Sequence, residues 1–135
     1  MIDETSLNIE FGTLNEQLRE YFPILGQPSY TRLLEGIKAA GAYVVFGVVF
    51  NHYIVDLATT SDPQAKDRVA SFIEAMAASH DERVVDLLKL ELLPTILQSQ
   101  TLVDAYWPAL GVATRRALRL LPPRFARNVE LPPSD

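Results

Sequence analysis

Tyr43-Val44-Val45-Phe46-Gly47-Val48-Val49-Phe50 decides how this chain folds, because the same eight residues suit a buried β-strand or the middle of a buried helix. Their β-branched and aromatic side chains favour a strand. No second strand candidate stands elsewhere to pair with it, however, and a solitary strand leaves its backbone N–H and C=O groups without partners. The octet therefore reads as part of a helix running to about Thr59, apolar nearly all round and so central to the domain.

The flanking stretches agree with that choice. Residues 62–93 read as two amphipathic helices joined by the turn Ser79-His80-Asp81. Asp62-Pro63 combines an N-cap with proline at the first helical position, and Val69, Phe72, Ile73 and Met76 form the inner stripe. Asp81 caps the next helix, whose inner side carries Val84, Val85, Leu87, Leu88 and Leu92 until Pro94 bends or ends it. Upstream, Thr13-x-x-Glu16 has the form of a capping box for a helix over about 14–22. Ser29 is placed to cap a helix bearing Tyr30, Leu33, Leu34 and Ile37, with Gly41 closing it. Downstream, Pro108 and Gly111 separate a short helix at about 100–107 from a last one near 112–121.

The pattern predicts an all-α single domain of about six or seven helices, stacked as antiparallel pairs in a repeat-like bundle. An acidic arm over residues 1–12 offers Ile9 and Phe11 as anchors, a helical body spans 13–121, and a Pro-rich, loosely packed tail spans 122–135. At 135 residues and 48 % hydrophobic content the chain suits one domain with a real core.

The absence of cysteine excludes disulfides, thiolate nucleophiles and sulfur metal sites, and fits a reducing compartment. The start, Met1-Ile2-Asp3-Glu4, lacks the form of a secretory signal. The longest apolar run, residues 42–50, falls short of the roughly 20 residues a membrane span needs. The expected location is the cytoplasm, with no membrane partner. The net charge of −5 is unevenly spread: 15 acids face 7 bases before residue 105, and 2 acids face 5 bases, all arginine, after it. An acidic body disfavours nucleic acid and favours a basic partner.

Candidate chemistry is sparse. His52 and Asp56, four apart on a helix, form an imidazole–carboxylate pair that reads as a local salt bridge, since no nucleophile accompanies them. His80 sits in a turn, and neither Glu-x-x-His nor His-x-x-x-His spacing occurs, so no metal site is expected and no cofactor is implied. Glu91 falls inside an apolar helical arc, where a carboxylate is costly unless it is paired or turned outward near Pro94. Serine occurs in no Gly-x-Ser-x-Gly setting. The reading is non-enzymatic, with no catalytic residues.

Two charged faces are candidates for partner binding. Asp67, Glu74, Asp81, Glu82 and Asp86 form an acidic set suited to a basic protein, although acids at a helix start also stabilise it. Arg115, Arg116 and Arg119 share a face of the last helix and form the alternative, basic set for an acidic or nucleic-acid partner.

Three runs carry a resemblance. Phe46-Gly47-x-x-x-Asn51-x-Tyr53 is followed by Phe72-Ile73-Glu74-x-Met76-x-x-Ser79-x-Asp81-x-x-Val84-x-x-Leu87-Leu88, then by Leu110-Gly111-x-x-Thr114. Over about residues 20–120 the chain resembles small all-helical immunity-type proteins of bacterial polymorphic-toxin and contact-dependent-inhibition systems, built of HEAT-like helical pairs. The resemblance implies a protein that binds and neutralises a cognate toxin, with a basic nuclease domain as one fitting partner. It supplies no catalytic residues and leaves the roles of Glu74 and Asp81 unassigned.

Overall fold

The computed structural model describes residues 8–133. Among them every regular element is helical, and the chain forms one all-α domain. Its helices are α1 (Leu14–Tyr21), α2 (28–34), α3 (42–58), α4 (Pro63–Ala77), α5 (82–96), α6 (100–109) and α7 (Val112–Leu120).

The octet 43–50 is helical, inside α3, but α3 is a wall of the domain and not its centre. Phe46, Phe50 and Ile54 are fully buried, whereas Val44, Val48 and Val55 on the other side remain exposed. The central element is α4, which packs against α3, α5, α6 and α7. Its stripe of Val69, Phe72, Ile73 and Met76 is completely covered. Rings from three segments meet there: Phe22 lies 5.2 Å from Phe50 and 5.6 Å from Phe72 between centroids. Such tilted and edge-on contacts add to the large apolar area each ring removes from water.

The cap residues set most helix starts. Asp62 accepts from the Ala65 N–H at 3.0 Å, and Asp81 accepts from the Arg83 N–H at 3.0 Å. Ser99 does the same for α6 through the Leu102 N–H. The Thr13 box does not form: Thr13 makes no cap bond, and its hydroxyl turns to Gln17 instead. The helix starting near Ser29 begins at Pro28 and stops at Leu34, well before Gly41. Gly36, at φ +83°, turns the chain out of it, and Gly41 opens α3 instead.

Both α3 and α5 contain a π-helical turn, over Val45–Phe50 and Leu88–Leu92, and these two turns pack on each other. At the contact, Asn51 Nδ2 donates to the carbonyls of Gly47 (3.2 Å) and Glu91 (2.8 Å). Gly47 has no Cβ, and one placed there would lie 2.8 Å from the Glu91 carboxylate. The α5 turn immediately precedes Pro94, whose ring in a regular helix would strike the Leu90 carbonyl; the wider turn makes room for it.

Two terminal segments are tied to this body. Ile9 is buried, its carbonyl accepts from Ser79 Oγ at 2.7 Å, and the Phe11 N–H donates to Asp81 Oδ2 at 2.9 Å. The tail is strapped down as far as it is described. Gln100 exchanges two hydrogen bonds with the backbone of Glu130, and Arg119 donates to the Pro132 carbonyl.

Glu74 fixes α7. Gly111, the N-cap residue of α7, has no side chain to cap with, and the Glu74 carboxylate reaches across from α4. It accepts from the N–H groups of Ala113 (3.1 Å) and Thr114 (2.9 Å) and from the Thr114 hydroxyl (2.7 Å). A Cβ on Gly111 would collide with the Glu74 carboxyl group, although the Gly111 backbone itself (φ −80°, ψ 175°) suits any residue. Replacing Glu74 with Ala should cost about 2 kcal/mol in urea denaturation, the scale of a lost cap with buried donors. Gly111→Ala should be comparably destabilising alone and close to neutral once Glu74 is Ala, a coupling that a double-mutant cycle measures directly.

Candidate functional site

The five acids proposed for partner binding do not act as one set. Glu74 is the α7 cap described above. Asp81 is also used inside the molecule: it caps α5, holds the Phe11 N–H, and pairs with the Arg83 guanidinium at 3.1 Å. Asp67, Glu82 and Asp86 are exposed and make no hydrogen bond or ion pair among the described residues. Glu82 and Asp86 are neighbours, one turn apart on α5. Asp67 lies ten residues before the end of α4, about 15 Å up that helix from the turn into α5. The structure thus leaves an acidic pair, with Asp67 apart from it.

The arginines are divided as well, which corrects the expectation of one shared basic face. Arg115 donates to the Trp107 carbonyl at 2.7 Å, and its guanidinium lies 5.3 Å from the centre of the indole. Arg119 stands 5.2 Å from the same ring and holds the tail. Arg116 points elsewhere, into a groove between α5 and α7. Helical spacing alone hid this, because the ring that attracts Arg115 and Arg119 belongs to α6.

The groove was not foreseen. It holds about 230 Å³ and is floored by Ala77, Val85, Leu88, Ala113 and Ala117, with Lys89, Arg116 and Leu120 at its sides. Alanines at 113 and 117 with Leu120 form an i, i+4, i+7 stripe, the one signal that could have marked it. Leu120 is 78 % exposed, and Leu90, on the outer side of α5, is 66 % exposed. Exposed leucines of this degree beside an apolar groove are the usual mark of an interaction surface.

The remaining candidates are local. His52 Nε2 and Asp56 Oδ2 are 3.2 Å apart on the exposed side of α3, as the spacing predicted, with the Tyr30 hydroxyl 3.5 Å from the same oxygen. Burial and the adjacent Asp56 charge both push the Tyr30 phenol up. Glu91 is half-buried over Gly47, because the π turn shifts it off the inner arc that a regular helix would give it. The fully buried Tyr106 hydroxyl donates to the Ile54 carbonyl at 2.6 Å, and burial pushes its phenol well above the usual range. Among the described residues no three His, Asp or Glu side chains converge as metal ligands would. Nor is any helix among them long and apolar enough to cross a membrane. Comparison with protein-family models, with curated proteins and with solved structures gives no match.

Asp81 yields a pH dependence. Its carboxyl is lowered from 3.8 to about 2, chiefly by hydrogen bonds from the Arg83 side chain and then by the Phe11 N–H. An acid depressed by folding stabilises the native state above its unfolded pKa, and that contribution fades as pH falls through the folded one. Asp81→Asn should therefore lower Tm at pH 7, with the gap to the parent closing between about pH 4 and pH 2.

The divided arginines yield a second test. Arg115→Ala should destabilise by about 1–2 kcal/mol, with Trp107 fluorescence as the probe, because a carbonyl and a ring both lose their partner. Arg116→Ala should stay within about 0.5 kcal/mol of the parent.

Proposed function

We propose that this is a non-enzymatic binding protein whose α5–α7 face docks on another protein, and that the partner is a bacterial toxin domain which it neutralises. The observation that carries the reading is the outer side of α5. Glu82, Asp86, Lys89 and Leu90 form no bond within the described molecule, and they stand beside the apolar groove that ends at Leu120. An apolar strip flanked by charged groups without internal partners has the make-up of a protein–protein interface. The net charge of −5 supports a basic partner, since it speeds the encounter and repels nucleic acid. The toxin itself is suggested by the resemblance of the three sequence runs, and the cytoplasm of the producing cell is where such protection would operate.

The competing reading, a scaffolding or regulatory module with a basic face, needs Arg115, Arg116 and Arg119 together. Two of them are engaged with Trp107.

The test begins with affinity capture from the source cell. The expected result is a stoichiometric protein that arrests growth when expressed alone and ceases to do so when this chain is co-expressed. Glu82→Lys combined with Asp86→Lys should weaken capture at least about tenfold without lowering Tm, since exposed charges set association more than folding. Capture that survives that change and fails with Arg116→Glu would favour the basic-face module.

A further inference from the structure

A second concavity lies among α1, α2 and α3, none of which contributes to the α5–α7 face. It holds about 290 Å³, close to the lower end of small-molecule sites and with room for on the order of ten heavy atoms at ~30 Å³ each. Its walls are apolar: Leu18 from α1, Leu25 from the turn that follows, Leu34 from α2, and Val45 and Val49 from α3. The polar groups at its edge are few and lie together in the lining, the Arg19 guanidinium and the Thr31 hydroxyl.

Neither group is used by the fold. Arg19 forms no ion pair or hydrogen bond among the described residues, although Glu16 and Glu20 stand on the same helix. The contrast with the other arginines is informative. Arg68 stacks on Tyr21 and holds its carbonyl, Arg83 pairs with Asp81, and Arg115 holds the Trp107 carbonyl. The Thr31 hydroxyl likewise makes no side-chain bond. Gly26 lines the pocket as well, and a Cβ added there would meet nothing within 4 Å, so the wall is open at that point.

An apolar chamber with one unpaired guanidinium and one hydroxyl at its edge is complementary to a small molecule with an apolar body and one anionic end. Arginine is the side chain best shaped to take a carboxylate through two parallel hydrogen bonds. We propose that this pocket binds a small amphipathic monocarboxylate, with its aliphatic or aryl body against Leu18, Leu34 and Val49 and its carboxylate on Arg19 and Thr31. The inference stands independently of the partner proposed above, because it uses different helices.

Octanoate is a suitable probe, titrated into the full-length, isotope-labelled chain and followed by two-dimensional NMR, with octylammonium in parallel. The expected result is saturable shifts at Leu18, Leu25, Leu34 and Val49 with octanoate, and at least about tenfold weaker binding of octylammonium. Arg19→Gln, at an exposed position outside the core, should keep the fold and weaken octanoate about tenfold, the scale of a lost charge-assisted contact. Val49→Phe should abolish binding by filling the chamber. Should that variant misfold, the charge comparison on the unaltered protein still decides the matter. Equal binding of the two probes, insensitivity to Arg19→Gln, or shifts that never saturate or fall elsewhere would overturn the proposal.

Discussion

Glu74 sits on the innermost helix of the domain, where a carboxylate is tolerable only if its oxygens are fully engaged. The engagement it finds is the bare start of α7. Gly111 provides no cap of its own, so the first N–H groups of that helix are satisfied from α4, by a charged acceptor lying where the helix dipole favours negative charge. This one contact sets where α7 can lie. It thereby shapes the groove between α5 and α7, because Ala113, one of the residues whose N–H it holds, is part of the groove floor. A cap that arises locally fixes only a helix end, whereas this one fixes the relation between two helices.

The same economy runs through the polar residues of the three sequence runs. Asn51 ties α3 to α5, Glu74 and Thr114 tie α4 to α7, and Ser79 and Asp81 tie the N-terminal arm to the α4–α5 turn. The glycines among them allow close approach: Gly47 under Glu91, and Gly111 under Glu74. The residues that make this chain resemble a family are therefore residues of assembly. They describe how the helices are fastened, while the groups left over for a partner, Glu82, Asp86 and Leu90, lie outside those runs. A function read from such runs is an argument from fold, and the surface has to be argued separately.

What could be read in advance follows from how local each signal is. Asp62, Asp81 and the stripe of α4 act within one turn or one face, and periodicity found them. The helical choice for 43–50 also came out correctly, from the want of a strand partner. Its placement at the centre did not, because sidedness depends on which neighbours arrive, and none covers Val44 and Val48. Thr13-x-x-Glu16 matched a capping box in letters, but Thr13 adopts φ −118° and ψ 14° and bonds to Gln17. The arginines looked like one face on a helical wheel until Trp107, from another helix, drew two of them aside. Glu91 looked inward-facing because the wheel assumes an unbroken 100° step, which the π turn interrupts. Grooves and pockets, made by three helices at once, leave almost no trace in any single one.

The paired wide turns also bear on how this gene tolerates length change. A π turn is a helix carrying a surplus residue, so losing one codon within 45–50 would leave α3 helical and even more regular. Everything after it would swing by about 100° around the axis. The Asn51 amide would leave the Glu91 carbonyl, and the polar His52–Asp56 edge would move round the axis, away from the exposed side it now occupies. The irregularity at the meeting of α3 and α5 thus acts as a phase marker, holding two helices in angular register. A frame-preserving deletion there would be far more damaging than one in the exposed loop at 35–41.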